Sequence, residues 1–396
     1  MKILFVSNRS AYFKNPFGGA EISFKVIAEE MAERGHQISY LTKRFDPKFE
    51  LGAKSETINS VKVTSVNFFN ADYSKDRKPP KWAGSLNGFQ SSVFSNTLHR
   101  IVRKNHIELV YCFYELNIIN KLLDLKARGL PVKIVMRIAG HHWYEQCKKN
   151  PDLVAQYETA FNAVDSVNFL HEKMEQEVVE KLAELQMNVR FRHTFVADIG
   201  SSAQKGRQIN YRPSDGQEFH LIMAARFSSY QKRQDLLVRA MALIPPDLPV
   251  KLTLLGEGVR KPEIEDLIVQ LNVSHRVFVE PFCQQADLWQ KLAQAQLLCH
   301  ACEYEGVSKI IVESLSMGVP VLVSEVEPIN QYIQDGFNGL LVENTPEAWA
   351  DKITYLYHHQ DLLEKLSKSS IESVKDRYDP KVNGLIYEEN FQNLLK

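Results

Sequence analysis

The stretch Glu305-Gly306-Val307-Ser308-Lys309-Ile310-Ile311-Val312-Glu313-Ser314-Leu315-Ser316-Met317-Gly318-Val319-Pro320 decides how the chain is read. An apolar run at 297–300 ends just before it. Ser308 stands where an N-cap belongs, and the apolar spacing predicts a helix from Lys309. Gly318 closes that helix, and Pro320-Val321-Leu322-Val323 opens the next strand. Strand, turn, helix, glycine and strand make one βαβ unit of a parallel sheet.

Working outward, the same alternation covers the chain. In the first half, strands are predicted at 3–7, 37–42, 61–66, 109–113, 133–138, 166–170 and 189–195. Helices are predicted at 20–34, 93–105, 118–128, 153–163 and 172–185. The second half restarts with strands at 220–224, 251–255, 276–279, 297–300, 320–323 and 339–342. Its helices fall at 235–243, 262–271, 287–295, 310–317 and 346–358. Between the halves, 200–216 is rich in Ser, Gln, Gly and Pro and reads as a linker. The expected fold class is α/β: two Rossmann-like, doubly wound domains, 1–200 and 201–378, with a closing helix at 379–396 packed back on the first. Such a pair places the ligand cleft between the domains, outside the carboxyl ends of the strands.

Composition narrows the function classes. A chain of 396 residues is too long for one ordinary domain, and 44% hydrophobic with 24% charged residues is a globular balance. Lys plus Arg and Asp plus Glu are 48 each, so the chain has no net basic footprint for nucleic acid. Five cysteines argue against a disulfide framework. The apolar run before Asn8 is too short for a signal-peptide core. The longest charge-free stretch, 82–99, is full of Ser, Asn, Gln and Gly and cannot be a spanning helix. The expected compartment is the cytoplasm. Lys75, Arg77, Lys78 and Lys81 around Pro79, Pro80 and Trp82 read as a solvated loop, with a membrane surface or polyanionic acceptor as the alternative.

Several positions suit an anionic ligand. Gly18-Gly19 before the first helix lets backbone approach a ligand, although a tight turn and helix cap explains the pair equally well. Gly256-Glu257-Gly258 after the strand at 251–255 could hold a phosphate but lacks the third glycine of a dinucleotide fingerprint. Arg226 and Lys232 flank the first turn of the second domain, placed for a diphosphate or as solvated loop charges. Glu305 and Glu313 are poor candidates for a glycosidase pair. Those carboxyls must sit ~5–9.5 Å apart, whereas eight helical positions span ~12 Å. Cys299-His300-Ala301-Cys302 has C-x-x-C spacing but no second cysteine pair, and reads as buried small residues rather than a zinc or redox site.

Together these residues resemble the retaining family 4 glycosyltransferases (glycosyl transferases group 1). The resemblance rests on Glu305-x(7)-Glu313 with Gly306 between and Gly318-Val319-Pro320 after it. It extends through Gly18-Gly19-Ala20-Glu21, Arg34-Gly35-His36, Arg226 with Lys232, Leu254-Leu255-Gly256-Glu257-Gly258, and Asp335-Gly336-Phe337-Asn338-Gly339. It implies a GT-B fold, with a nucleotide sugar (UDP- or GDP-linked) on the C-terminal domain and the acceptor largely on the N-terminal one. Arg226 and Lys232 then resemble the pair that neutralises the donor diphosphate, Glu313 the carboxylate on the ribose, and Glu305 the one facing the transferred sugar. The backbone of Gly306, Val307, Ser308 and Lys309 would meet sugar or phosphate, Gly19 would close over the phosphates, and the base would lie near Pro281-Phe282-Cys283. Many members end the strand equivalent to 133–138 with one histidine facing the acceptor. Here His141 and His142 compete for that role, and the neighbouring Trp143 is either a sugar platform or a core residue.

The resemblance implies sugar transfer with retention of anomeric configuration, in polysaccharide or lipopolysaccharide assembly. Its acceptor would be a glycan, a lipid-linked glycan or a small molecule, and the protein a monomer or homodimer at the inner face of the plasma membrane or free in the cytoplasm. Other reactions on the same fold, epimerase or phosphorylase, and a non-catalytic nucleotide or glycan binder are the alternatives. With no Asp-x-Asp anywhere, neither a metal nor a resident cofactor is expected.

Overall fold

Consecutive apolar residues in a short strand need cover on both faces, and both sheets are built that way. The structure, a computed structural model, describes residues 1–13, 19–45, 50–68, 81–198, 209, 211–214, 218–227, 230–305, 308–327 and 329–396, with only the backbone described at 81–83 and 331. The chain forms two compact units, Met1–Gly200 with Pro380–Lys396, and Ser201–Asp379. The linker expected at 200–216 lies mostly outside the described residues, as do Gly18, Gly306, Val307 and the basic segment at 75–80.

The first unit runs β1 (Lys2–Ser7), α1 (Gly19–Glu33), β2 (Gln37–Arg44), β3 (Ala53–Ile58), β4 (Val61–Asn67), α2 (Lys81–Lys104), β5 (Leu109–Phe113) and α3 (Leu116–Ala127). It continues with β6 (Lys133–Ile138), α4 (His142–Lys149), α5 (Asp152–Ala163), β7 (Ser166–Phe169), α6 (Glu172–Glu184) and β8 (Thr194–Val196). The sheet order is β3-β4-β2-β1-β5-β6-β7-β8, parallel except for the β3–β4 pair, so the winding reverses between β1 and β5. The β3–β4 hairpin turns through Asn59 and Ser60 with φ of 48° and 64°, the mirror-image turn that suits a right-twisted ribbon.

Three expectations change here. The strand β3 is absent from the sequence reading because Ala-Lys-Ser-Glu-Thr-Ile is a largely exposed edge with no apolar face. Helix α2 begins at Lys81, not 93, since its Ser- and Asn-rich first half carries little apolar periodicity to betray it. The strand expected at 189–195 shrinks to β8, Thr194–Val196. Among the described residues, no helix is long and apolar enough to cross a membrane.

The second unit contains β9 (Phe219–Ala224), α7 (Gln234–Leu243), β10 (Val250–Leu255), α8 (Lys261–Gln270), β11 (Val277–Glu280), α9 (Gln285–Gln294), β12 (Leu297–His300), α10 (Lys309–Met317), β13 (Val321–Ser324), β14 (Leu340–Val342), α11 (Pro346–His358) and α12 (Gln360–Val374). Its sheet is parallel throughout in the order β11-β10-β9-β12-β13-β14. This is the doubly wound order 3-2-1-4-5-6, whose winding reverses between β9 and β12. Helix α12, which the sequence reading does not contain, packs on α10, where Ser367 donates to the Gly318 carbonyl at 2.6 Å.

The last helix, α13 (Pro380–Leu395), belongs to the first unit. Tyr387 and Phe391 are fully buried against Tyr111 and Phe195, and the Tyr387 and Tyr111 hydroxyls both donate to Asn168 Oδ1, at 3.1 and 2.7 Å. At the rim, Glu388 accepts from Arg34 Nε at 2.7 Å, with His36 Nε2 2.8 Å from its other oxygen. Burial pushes the Glu388 carboxyl up, but the hydrogen bonds and charges of Arg34 and His36 outweigh it and hold it below its usual value.

Two variants test this packing. Tyr387→Ala removes a ring from the core and leaves Asn168 short of one donor. It should destabilise the first unit by ~3–5 kcal/mol in chemical denaturation, whereas a loss under 1 kcal/mol, on the order of a surface change, would mean that α13 is only loosely docked. Gly256, after β10, has φ of 155°, and a Cβ there would sit 2.1 Å from the Ala225 carbonyl oxygen. Gly256→Ala should therefore cost the second unit about 2 kcal/mol or more, read as a lowered melting transition. An unchanged transition would contradict the close β9–β10 approach.

Candidate functional site

The carboxyl end of the second sheet, where the winding reverses, gathers most of the residues singled out from sequence. Arg226 follows β9 and is exposed, its carbonyl accepting from buried Gln234 Nε2 at 3.1 Å. The loop then runs back along the segment that leaves β12. Lys232 bridges Cys302, the Arg233 N–H donates to the Ala301 carbonyl at 3.0 Å, and the Glu303 N–H donates to the Gln231 carbonyl at 2.9 Å. Ser324 and Asn344 pin the same segment from its other side, through the Cys302 N–H at 2.9 Å and the Cys302 carbonyl at 2.8 Å.

This backbone clamp turns the Lys232 side chain toward Glu305 and His300. The ammonium contacts Glu305 Oε2 directly and lies 3.1 Å from His300 Nε2. His300 Nε2 is also 3.1 Å from Glu305 Oε2 and 3.4 Å from Ser308 Oγ. Burial pulls Lys232 down to about 8, with the charge of Arg226 adding to that shift and Cys302 opposing it. His300 is fully buried, and burial followed by the Lys232 charge drives its pKa well down, so the imidazole is neutral. Its Nδ1 is buried without a hydrogen-bond partner.

A second cluster lies on α10. Glu313 is 2% exposed, and Gln285 Nε2 and Lys309 Nζ, the latter at 3.1 Å, both meet its Oε1. Ser308 holds the N-cap position of the helix without a side-chain capping hydrogen bond, and its N–H donates to the Tyr332 hydroxyl at 3.2 Å. Gly318 ends the helix in the left-handed conformation at φ 83°. Phe282, just before α9, is 57% exposed. Gly256 has a structural occupation: its N–H donates to the Glu280 carbonyl at 3.0 Å and its missing Cβ admits the Ala225 backbone.

Gly19, His141 and His142 belong to the first unit. Gly19 opens α1. His141 precedes α4, its Nε2 2.6 Å from Glu177 Oε2, while His142 is exposed at the first helical position. Trp143 is a core residue and not a sugar platform: it is fully buried against Tyr144, Tyr157 and Phe161.

Two polar groups escaped the sequence reading. His300 was hidden inside an apparent C-x-x-C whose cysteines prove to be buried free thiols. Its position as the last residue of a strand beside the winding reversal is the signal that could have found it. At the corresponding reversal of the first sheet, Glu115 accepts from the Asn8 N–H at 3.2 Å. Burial raises its carboxyl despite the Asn8 hydrogen bonds and the charge of Lys43.

Comparison with known proteins identifies relatives in sequence and in fold. Residues 205–373 match the family model described as glycosyl transferases group 1. The N-acetyl-alpha-D-glucosaminyl L-malate synthase of Bacillus anthracis is 22% identical over 383 residues, 96% of this chain and 95% of that protein. Among solved structures, the sucrose-phosphate synthase of Thermosynechococcus elongatus superposes with a TM-score of 0.78 at 16% identity, covering 99% of this chain and 98% of that one. HepE of Anabaena, in complex with UDP-glucose, gives 0.72 at 17% identity over 99% of this chain and 100% of that one. Residues 205–373 thus match the group 1 glycosyltransferase family, and the chain has the GT-B fold of these solved structures.

Proposed function

We propose that the protein transfers a sugar from a UDP- or GDP-sugar to a hydroxyl of a glycan, lipid-linked or small-molecule acceptor, with retention and without a metal, in glycoconjugate assembly at the cytoplasmic side of a membrane. The observation that carries this reading is the Lys232–Glu305–His300 cluster beside Arg226, at the winding reversal of a parallel sheet. Cations there meet the charge that grows on a departing diphosphate, where fixed charges need no reorganisation during the reaction. Arg226 supplies an exposed guanidinium and Lys232 a desolvated ammonium.

Glu305, already against Lys232, is assigned to the transferred sugar. Glu313 is assigned to the ribose through Oε2, the oxygen that Gln285 and Lys309 leave alone. Phe282 and its neighbours are assigned to the base, Ser308 and Lys309 with Gly306 and Val307 to sugar or phosphate, and Gly19 to the phosphates. On the acceptor side the choice lies between His141, tied to Glu177, and exposed His142. The UDP-glucose complex of HepE supports a nucleotide-sugar donor, and the N-acetyl-alpha-D-glucosaminyl L-malate synthase supports a small-molecule acceptor as one member of the class.

A panel of nucleotide sugars, assayed for turnover with the purified protein, tests the reaction class. Lys232→Ala should lower kcat/KM about 100-fold or more, the value of one preorganised charge at a developing anion. Turnover near that of the wild type would remove Lys232 from the diphosphate site. Activity should also survive EDTA. Complete loss on chelation, restored by magnesium or manganese, would show that an ion does the work assigned to the two cations.

A further inference from the structure

We propose that His300 is a positioning residue that aims the Lys232 ammonium at the donor diphosphate, an inference that rests on the donor-site reading above. An ammonium has three N–H bonds and no acceptor. In this cluster one points to Glu305 and one to His300 Nε2, which leaves the third direction fixed for a ligand. Without His300 the lysine would pivot about Glu305 alone, and its third N–H would sweep a cone.

The surroundings favour Nε2 as the acceptor in that contact. The ammonium can only donate, so its contact at 3.1 Å with a neutral ring makes Nε2 the acceptor. Ser308 Oγ at 3.4 Å can donate to it as well, and the same ammonium bridges it to Glu305 Oε2, 3.1 Å away. The imidazole is neutral, so it adds no charge to a site that must attract an anion. Its position does not drift, because it ends a strand whose backbone pairs with β13 and its ring is completely enclosed. A role in stability alone explains the site poorly. Nδ1 is buried with no partner, a cost that an apolar ring of similar size would avoid.

Three replacements separate aim from packing. His300→Gln places an amide acceptor where Nε2 stands, His300→Asn places one nearer Nδ1, and His300→Phe fills the volume with no polar atom. Binding of UDP and of GDP is measured by calorimetry on the full-length protein, alongside the melting transition. We expect the Phe and Asn variants to bind the nucleotide at least tenfold more weakly without a lowered melting transition, and the Gln variant to recover to within about threefold of wild type.

The cycle with Lys232→Ala isolates the cause. In that background His300→Phe or His300→Asn should change nucleotide affinity less than twofold, because the group being aimed is gone. Wild-type affinity in the Phe and Asn variants, or a full additive loss in the double variants, overturns the positioning role and leaves the donor site standing. If the wild-type protein binds neither UDP nor GDP, the donor reading fails and this inference fails with it. Should the Phe variant not fold, Asn against Gln decides the same question.

Discussion

A largely desolvated ammonium is the constraint around which the second unit is arranged. Burying a cation is unfavourable unless an anion and further hydrogen-bonding groups come with it. The chain meets that demand with backbone rather than with side chains alone. The loop after β9 is laid antiparallel along the segment leaving β12, and Ser324 and Asn344 hold that segment from the β13 side. Lys232, Glu305 and His300 therefore meet although the chain between them is long. A site made by two loops, each tied to the other and to the sheet, keeps its geometry without a ligand.

Much of this architecture was legible in the sequence because its signals are local. Glycine after an apolar helix, a serine at the N-cap position and β-branched runs of strand length fix the βαβ units, and their repetition fixes the parallel sheets. The elements that escaped lack such signals. β3 is polar and exposed on both sides, the first half of α2 has little apolar periodicity, and α4 has only eight residues. In the candidate site, Lys232, Glu305 and Ser308 could be named from spacing, but their mutual contacts depend on the β9 and β12 loops lying side by side. His300 could not be told from a core histidine, since the apolar strand and the two cysteines around it have the composition of a core. Trp143 posed the reverse problem: a residue type that suits both a sugar face and a core was placed in the core by Tyr157 and Phe161.

The return of α13 to the first unit shows how a few residues fix a long-range contact. Tyr387 and Phe391 fill a gap beside Tyr111 and Phe195, and Glu388 meets the two side chains, Arg34 and His36, that flank the turn after α1. Gly35, at φ 87°, makes that turn, so Arg34 and His36 lie on either side of it and converge on one carboxylate. Gly384 completes the fit, because a Cβ there would press on Glu30 Cγ at 2.7 Å. The short run Arg34-Gly35-His36, part of the family resemblance in sequence, thus has a structural reason of its own in this chain.

The two cations assigned to the donor differ in a way that matters chemically. Arg226 is exposed, and a guanidinium keeps its charge at any pH a protein survives. Lys232 is largely buried, and its ionisation at about 8 lies close enough to neutrality for its surroundings to decide its state. On the proposed reading, an arriving diphosphate supplies an anion that favours the charged form and draws the Lys232 pKa upward. Donor binding then carries with it a gain of proton occupancy at the residue nearest the leaving group. On that reading Arg226 would attract the ligand from solvent, while Lys232, largely shielded from water, would become fully charged where the transition state needs it. That division follows chiefly from burial, since both residues leave the same strand end.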